Sequence, residues 1–118
     1  MTAPRASGAN PFVGRWKITE METWPLEYVD LIVPGHITIA RDREGEFQFG
    51  AVHAWIDYRI TSAAKEPKLE FSWEGKSERD PISGRGWATV QDGELRGQLF
   101  IHMGDDSWFI ARKGKRAI

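Results

Sequence analysis

Large aromatic side chains alternate with polar ones in two parts of the chain, a combination suited to binding another molecule. Trp87, Phe100 and His102 fall in one such alternation, and Trp55 and Arg59 fall in another. Aromatic rings supply contact area and polar neighbours orient a ligand, so exposed aromatic faces are typical of interaction hot spots and ligand mouths. These five residues are therefore the candidates for a ligand-binding or interaction site.

Each candidate also has a purely structural interpretation. Trp55 and Trp87 can be half-covered by a neighbouring helix or by a long loop predicted at 75–83. Arg59 can lie on an outer sheet face, where it pairs with a neighbouring carboxylate. The sequence leaves these alternatives open.

Glu20 is a second kind of candidate, because strand alternation places it inward. It follows Trp16 and Ile18 at a period of two residues. A buried carboxylate must be paired or protonated. Glu20 is therefore expected to be either a member of a structural ion pair or a contact to a ligand.

The chain carries no recognisable catalytic or metal-binding motif. The three histidines, His36, His53 and His102, match no metal-site spacing. His53 and Asp57 share a strand face, but at about 3.3 Å per residue they lie about 13 Å apart, too far to share an ion. No serine stands in a G-x-S-x-G elbow, and no glycine-rich loop precedes a helix. We therefore predict no catalytic residue, no metal and no cofactor.

Composition narrows the function classes further. The 118 residues include no cysteine, which excludes a disulfide scaffold, a thiolate zinc site and a cysteine nucleophile. The formal net charge of −1 argues against electrostatic binding of nucleic acid. No apolar run approaches the roughly 20 residues that span a bilayer, and the N-terminus lacks the order of a signal peptide. We expect a cytoplasmic protein with neither a nucleic-acid nor a membrane partner.

Seven or eight β-strands are predicted, because β-branched and aromatic residues alternate with polar ones at a period of two. The predicted strands cover residues 14–22, 35–41, 46–61, 67–74, 84–91, 94–103 and 107–113. Within the third of these, Phe47 and Phe49 are out of phase with the apolar set that begins at Val52. A bulge or sharp bend at Gly50-Ala51 restores the phase. This segment is therefore either one bent strand or two strands.

One segment has a helical period instead. Trp24, Tyr28 and Leu31 fall at i, i+4 and i+7 within residues 24–32, which predicts a short amphipathic helix. Pro34-Gly35 ends it. We expect the helix to cover an open end or a face of the sheet.

Asp92-Gly93 lies between two alternating runs and is a strong signal for a two-residue hairpin turn. Such a turn pairs Val90 with Leu95 and places small and apolar residues on one face, as expected where a strongly curved sheet closes on itself. The opposite face then carries aromatic and polar residues: Trp87, Thr89, Arg96, Gln98, Phe100 and His102.

The last hairpin, around Gly104, has two possible registers. A loop of two or four residues places Trp108 on the same face as Leu99, whereas a three-residue loop places Phe109 there. In either case an aromatic residue joins the aromatic and polar face.

These elements predict an all-β fold, an antiparallel up-and-down barrel of seven to eight strands with one short helix after the first strand. A β-sandwich is the alternative. Residues 1–11 are small and polar and read as a flexible leader, residues 12–113 as a single barrel domain, and residues 114–118 as a basic tail.

The run Phe12-Val13-Gly14-Arg15-Trp16-Lys17-Ile18 resembles the first strand of the calycin barrels, especially the intracellular fatty-acid-binding proteins, and it matches the lipocalin G-x-W pattern. The resemblance implies that the tryptophan packs in the closed end of the barrel beneath a basic residue of the last strand. Trp16 and Arg112 take these positions here, and a cation over an indole is favourable. The resemblance also implies a small apolar ligand.

The chain departs from the fatty-acid-binding pattern in three ways. It is shorter, it has one short helix where that family has a helix pair, and its bulky core positions leave less room for a lipid. Further stretches, including Phe71-Ser72-Trp73-Glu74-Gly75, resemble those of small uncharacterised bacterial proteins, and this resemblance implies no function.

Three functions are compatible with this sequence. The first is a non-enzymatic binding protein that holds a small, partly apolar molecule at the barrel mouth or on the aromatic and polar face. The second is an interaction module that uses this face to dock a protein partner or a second copy of itself. The third is a barrel enzyme of the cyclase or isomerase type, which needs a titratable group such as Glu20 or Arg59 in a cavity.

Overall fold

The computed structural model describes residues 10–61 and 66–114, which form eight antiparallel strands and one short helix. The strands and the helix run in the order β1 (Gly14–Met21), α1 (Leu26–Val29), β2 (His36–Ile39), β3 (Glu44–Phe49), β4 (Val52–Thr61), β5 (Lys68–Ser77), β6 (Asp80–Gln91), β7 (Glu94–Ile101) and β8 (Asp106–Lys113). The predicted leader and basic tail lie almost wholly outside the described residues.

The eight strands close into one barrel in sequence order, with β1 paired to β8. This is the predicted up-and-down barrel, and it excludes the β-sandwich, because no free sheet edge separates two layers. Closure pairs every strand on both sides, so hydrophobic alternation sorts all strands into one inner and one outer surface.

The segment 46–61 is two strands rather than one bent strand. Phe49 pairs with Val52 across a two-residue turn at Gly50-Ala51. Gly50 has a φ of 55°, a left-handed conformation that glycine adopts without penalty. The turn reverses the chain, so both apolar sets face inward although they are out of phase in the sequence.

The long loop expected at 75–83 is absent, because β5 and β6 continue as a hairpin through this segment. Ser77 pairs with Asp80 around a turn formed by Glu78 and Arg79. Glu78 has a φ of 59°, which makes the tight reversal possible. The loop that was expected to cover Trp55 and Trp87 is therefore part of the sheet.

The hairpin at Asp92-Gly93 is confirmed, since Val90 pairs with Leu95 and Gln91 pairs with Glu94. The last hairpin adopts the three-residue alternative. Leu99 pairs with Ser107 there, and the Ile101 amide donates to the Asp105 carbonyl at 3.1 Å. Phe109 therefore faces inward and Trp108 faces outward.

The helix is shorter than the predicted segment 24–32. It includes only Leu26–Val29, and Leu31 is 64% exposed rather than packed on the sheet. Pro34-Gly35 lies too close for another turn to form before β2 begins. The expected covering role is met by Val29, which is buried, and by Trp24 and Tyr28, which pack against Phe49.

A bulge in β1 turns Glu20 outward, contrary to the inward position expected from the alternation. The pairing of β1 with β8 shifts register between Ile18 and Glu20. An extra residue in one strand reverses the inside and outside phase beyond it. Met21 therefore follows Ile18 into the core, and Glu20 is exposed.

Lys113, rather than the expected Arg112, is the cation over Trp16. Trp16 pairs directly with Lys113 across β1 and β8, and directly opposed residues share a face. The Lys113 Nζ lies 4.5 Å from the indole centroid and donates to the Val13 carbonyl at 3.0 Å. Arg112 faces outward, where its Nη2 lies 2.7 Å from a Glu94 oxygen. The last strand thus supplies the basic residue one position later than expected.

Large side chains fill the barrel interior. Phe47 packs edge-on to Trp73 with ring centroids 5.1 Å apart, and it stacks on Phe49 at 5.9 Å. Inward-facing glycines make room for such rings, since a Cβ at Gly84 would lie 2.7 Å from the Trp73 ring and one at Gly97 would lie 2.8 Å from a Phe109 ring atom. The small residues on the inner face therefore leave the space that the aromatic rings occupy.

Candidate functional site

The outer faces of β4 to β7 bring the aromatic candidates into one region. Trp55 on β4 lies opposite Glu74 on β5. The next row runs across all four strands: Asp57 opposite Ser72, Ser72 opposite Arg85, and Arg85 opposite Phe100. His102 lies just beyond β7, where its amide donates to the Ser83 carbonyl at 2.8 Å.

These rows line an open cleft of about 920 Å³, which we call the aromatic groove. Trp55 comes from the β4 side of the groove, and Phe100 and His102 come from the β7 side. The other outward side chains along these four strands are polar: Asp57, Ser72, Glu74, Ser83 and Arg85. The size matches small-molecule sites, which measure about 300–1,000 Å³.

The groove carries charges that no neighbour neutralises. Asp57 is paired with Arg59 through a 3.0 Å contact. Glu74 and Arg85 form no ion pair with any other residue in the described parts of the chain. Glu44, which lines the groove from β3, likewise has no ion pair among the described residues, so two carboxylates and one guanidinium are free to meet complementary groups on a ligand.

Trp55 is the most exposed tryptophan among the described residues, with 56% of its surface accessible. One side of it packs on His53, with ring centroids 4.6 Å apart and planes inclined by 31°. His53 in turn lies 2.9 Å from a Glu46 oxygen. The indole therefore has a supported orientation at the rim of the groove, which reduces the entropy lost when a ligand stacks on it.

Glu46 bridges two histidines, an arrangement that the sequence did not indicate. Its second oxygen lies 2.9 Å from the Nε2 of His36, whose Nδ1 lies 2.9 Å from the Pro34 carbonyl. A neutral imidazole carries one N–H, so both His36 contacts are hydrogen bonds only when a second proton resides on the ring or on Glu46. In the parts of the chain that the structure describes, no three His, Cys, Asp or Glu side chains are arranged to hold a metal ion.

Trp87 and Arg59 line a second cleft, of about 500 Å³, that continues from the aromatic groove. The two clefts share Phe100 and Arg85 at their junction. The structure thus brings Trp55, Arg59, Trp87, Phe100 and His102 to one continuous outer surface. Glu20, on β1, is not part of it.

Outward charges at the far end of this surface form a separate cluster. Arg96 donates to Glu94 through Nε at 3.0 Å and through Nη2 at 2.6 Å, and Arg112 approaches the other Glu94 oxygen. The hydrogen bond from Arg96 lowers the pKa of Glu94, and the nearby charges of Arg112 and Arg96 lower it further. Glu94 therefore holds both guanidinium groups in place.

Glu74 and Arg85 were missed in the sequence because their place depends on the pairing of β5 with β6. The Asp92-Gly93 turn aligns β6 with β7 only. A loop was expected at 75–83, so the hairpin that places β5 beside β6 was not predicted. A Ser-Glu-Arg-Asp run at 77–80 is turn-forming in composition and was the available signal.

Comparisons of the chain with protein-family models, with curated proteins and with solved structures give no significant match. No helix among the described residues is long and apolar enough to cross a membrane.

Proposed function

We propose that this protein is a non-enzymatic binding protein that holds a small, partly apolar molecule in the aromatic groove. The observation that carries the proposal is the placement of Trp55 and Phe100 on opposite sides of a groove that also contains the unpaired Glu74 and Arg85. Apolar walls with a few polar groups are the usual composition of small-molecule sites.

The packed interior supports an outer site over an inner one. Tyr58, Phe71, Trp73 and other large side chains occupy the lumen and are at most 7% exposed. A carrier that encloses its ligand needs an internal cavity of a few hundred Å³. Glu20 and Arg59, the candidates for a titratable catalytic group, are both exposed, so nothing supports the cyclase or isomerase interpretation.

The barrel also supports a relationship to the calycins, which we propose on three features. These are the up-and-down order of eight strands, the helix after β1, and Trp16 beneath a basic residue of the last strand. This relationship concerns the fold, whereas the site that we propose lies on the outer surface and depends on the aromatic groove.

Native mass spectrometry of the protein purified from its own host tests the groove. Trp55→Ala removes the exposed aromatic side of the groove, and Leu31→Ala, which removes an exposed apolar side chain that lines neither cleft, is the control. We expect wild type and Leu31→Ala to retain a small molecule and Trp55→Ala to lose at least about 90% of it, which corresponds to a loss of roughly 1.4 kcal/mol in binding free energy. Equal retention in all three proteins, or bare monomers throughout, would contradict the proposal.

Docking of a protein or of a second copy of this chain is the alternative, and the 56% exposure of Trp55 on an open surface is the observation that favours it. The same spectra distinguish the two. A wild-type dimer that Trp55→Ala converts to a monomer, with no small molecule present, would assign the groove to self-association.

A further inference from the structure

A second site lies between Trp87 and Trp108, on the outer faces of β6, β7 and β8. Trp87 lies directly opposite Gln98, and Gln98 lies directly opposite Trp108. Neighbouring strands are about 4.8 Å apart, so the two tryptophan backbones are about 9.6 Å apart. The space that their side chains border measures about 330 Å³, and we call it the tryptophan cleft.

Both indoles are available to a ligand in this cleft. Trp108 is 37% exposed and Trp87 is half-buried. The Lys68 Nζ lies 4.8 Å from the Trp87 ring centroid and approaches from the β5 side, whereas the cleft opens on the β7 side. Lys68 therefore fixes the Trp87 ring and leaves the cleft side of it free.

The polar groups of the cleft are few and favour a particular charge. Gln98 lies between the two indoles, and its side-chain amide makes no hydrogen bond to another described residue, so it can donate and accept. Arg96 also lines the cleft, where Glu94 holds it. No carboxylate is among the described residues that line the cleft. A cation in the cleft would therefore find no carboxylate among the lining residues, and the Glu94 carboxylate beside Arg96 already pairs with both Arg96 and Arg112.

We propose that the tryptophan cleft binds a planar aromatic or heteroaromatic ring that is neutral or anionic. A flat ring in contact with an indole on each face needs about 7–8 Å between the two indoles, at 3.5–4.0 Å per contact. The backbones of Trp87 and Trp108, about 9.6 Å apart, allow this separation. The Gln98 amide meets donors and acceptors on the ring edge, and Arg96 accommodates an acidic substituent. This site is distinct from the aromatic groove, from which Trp108 is absent.

Three probes with one ring and three charges test the proposal: indole, indole-3-acetate and tryptamine. Each is titrated into the ¹⁵N-labelled full chain. We expect indole-3-acetate and indole to shift the indole N–H signals of Trp87 and Trp108 and the side-chain amide of Gln98 along one saturating curve, with a Kd below about 1 mM. Tryptamine should bind at least about 5-fold more weakly, because of its charge.

Trp108→Ala and Trp55→Ala are the matched variants, because each removes one exposed tryptophan from one site. Trp108→Ala should abolish the saturable shift at Trp87, and Trp55→Ala should leave it unchanged. Arg96→Gln provides an independent variant. It should bring the affinities of indole-3-acetate and tryptamine to within about 2-fold of each other, because it removes the one charged side chain among the described residues that line the cleft.

Three results would overturn the proposal. These are shifts that remain linear up to about 10 mM probe, tryptamine binding as tightly as indole-3-acetate, or unchanged affinity in folded Trp108→Ala. Because Trp55→Ala reports on the aromatic groove and Trp108→Ala on the tryptophan cleft, either proposal can fail without the other.

Discussion

A single cation over an indole connects the first and last strands of this barrel. Lys113 lies over one face of Trp16. The Trp16 indole N–H also donates to the carbonyl of Phe12, just before β1, at 2.8 Å. The choice of Lys113 over its neighbour Arg112 follows from phase alone, since only alternate residues of a strand share a face.

The neighbouring basic residues offer a direct test of this contact. Lys113→Met should lower the free energy of unfolding by about 0.5–1 kcal/mol, the worth of an exposed cation–π contact, and should shift the indole N–H signal of Trp16. Arg112→Met, which removes a Glu94 partner on the outer face, should leave that signal in place. The free energy is measured by urea unfolding and the signal by NMR. A shift in Arg112→Met alone would reverse the assignment.

At the scale of elements, the Asp30 carboxylate connects the short helix to the neighbouring strands. Asp30, directly after α1, accepts hydrogen bonds from the Lys17 ammonium and from the Gly35 amide, each at 2.8 Å. These contacts tie the end of α1 to β1 and to the start of β2. Burial opposes ionisation of Asp30, but the hydrogen bonds from Lys17 and Gly35, with the Lys17 charge, outweigh it and lower the pKa below its ordinary value of 3.8.

This lowered pKa makes stability depend on pH in a defined direction. The folded state favours the ionised carboxylate, so its contribution is fully present above the ordinary value of 3.8 and is lost as pH falls through the lower folded-state pKa. Asp30→Asn should destabilise the protein by roughly 0.5–1 kcal/mol at pH 7. The difference from wild type should shrink as pH falls through the folded-state pKa, which lies below 3.8.

Urea unfolding at a series of pH values measures this dependence. Asp105→Asn, which alters an exposed aspartate of the last hairpin loop, is the control. It should track wild type across the series. A difference between Asp30→Asn and wild type that stays constant with pH would show that the charge of Asp30 does not contribute.

At the scale of the whole molecule, one closed sheet has an inner and an outer surface of different composition. The inner surface is a packed core, and the outer surface carries the aromatic groove and the tryptophan cleft. Trp73 and Trp55 show the division, since they occupy adjacent strands on opposite surfaces, with Trp73 3% and Trp55 56% exposed.

Substitution of these two tryptophans should separate stability from binding. Trp73→Ala should cost about 3–5 kcal/mol, because it leaves a cavity that the rigid barrel fills only in part. Trp55→Ala should change stability by less than about 1 kcal/mol, as is usual at exposed positions. Chemical denaturation measures both. A cost above about 3 kcal/mol for Trp55→Ala would make it a core residue and remove the basis for the groove.

The sequence by itself determined the inside and outside of most strands and their antiparallel order, whereas the choice of a closed barrel over a β-sandwich was decided by the pairing of β1 with β8. Period-two alternation and the Asp92-Gly93 turn are local signals, so the register of β6 on β7 and the aromatic face at Trp87 and Phe100 could be predicted from them. The aromatic type and polar phase of Trp55 and Arg59 likewise placed them on one surface.

Only the tertiary structure decided which side chains meet across strands that are not joined by a recognisable turn. Three features depend on pairing between strands. These are the β1 bulge that turns Glu20 outward, the one-residue shift from Arg112 to Lys113, and the hairpin that brings Glu74 beside the groove. Pairing register is set by the packing of the whole closed barrel, and a one-residue difference exchanges the two faces. Local patterns specify a strand's two faces, whereas the neighbours across the sheet specify the site.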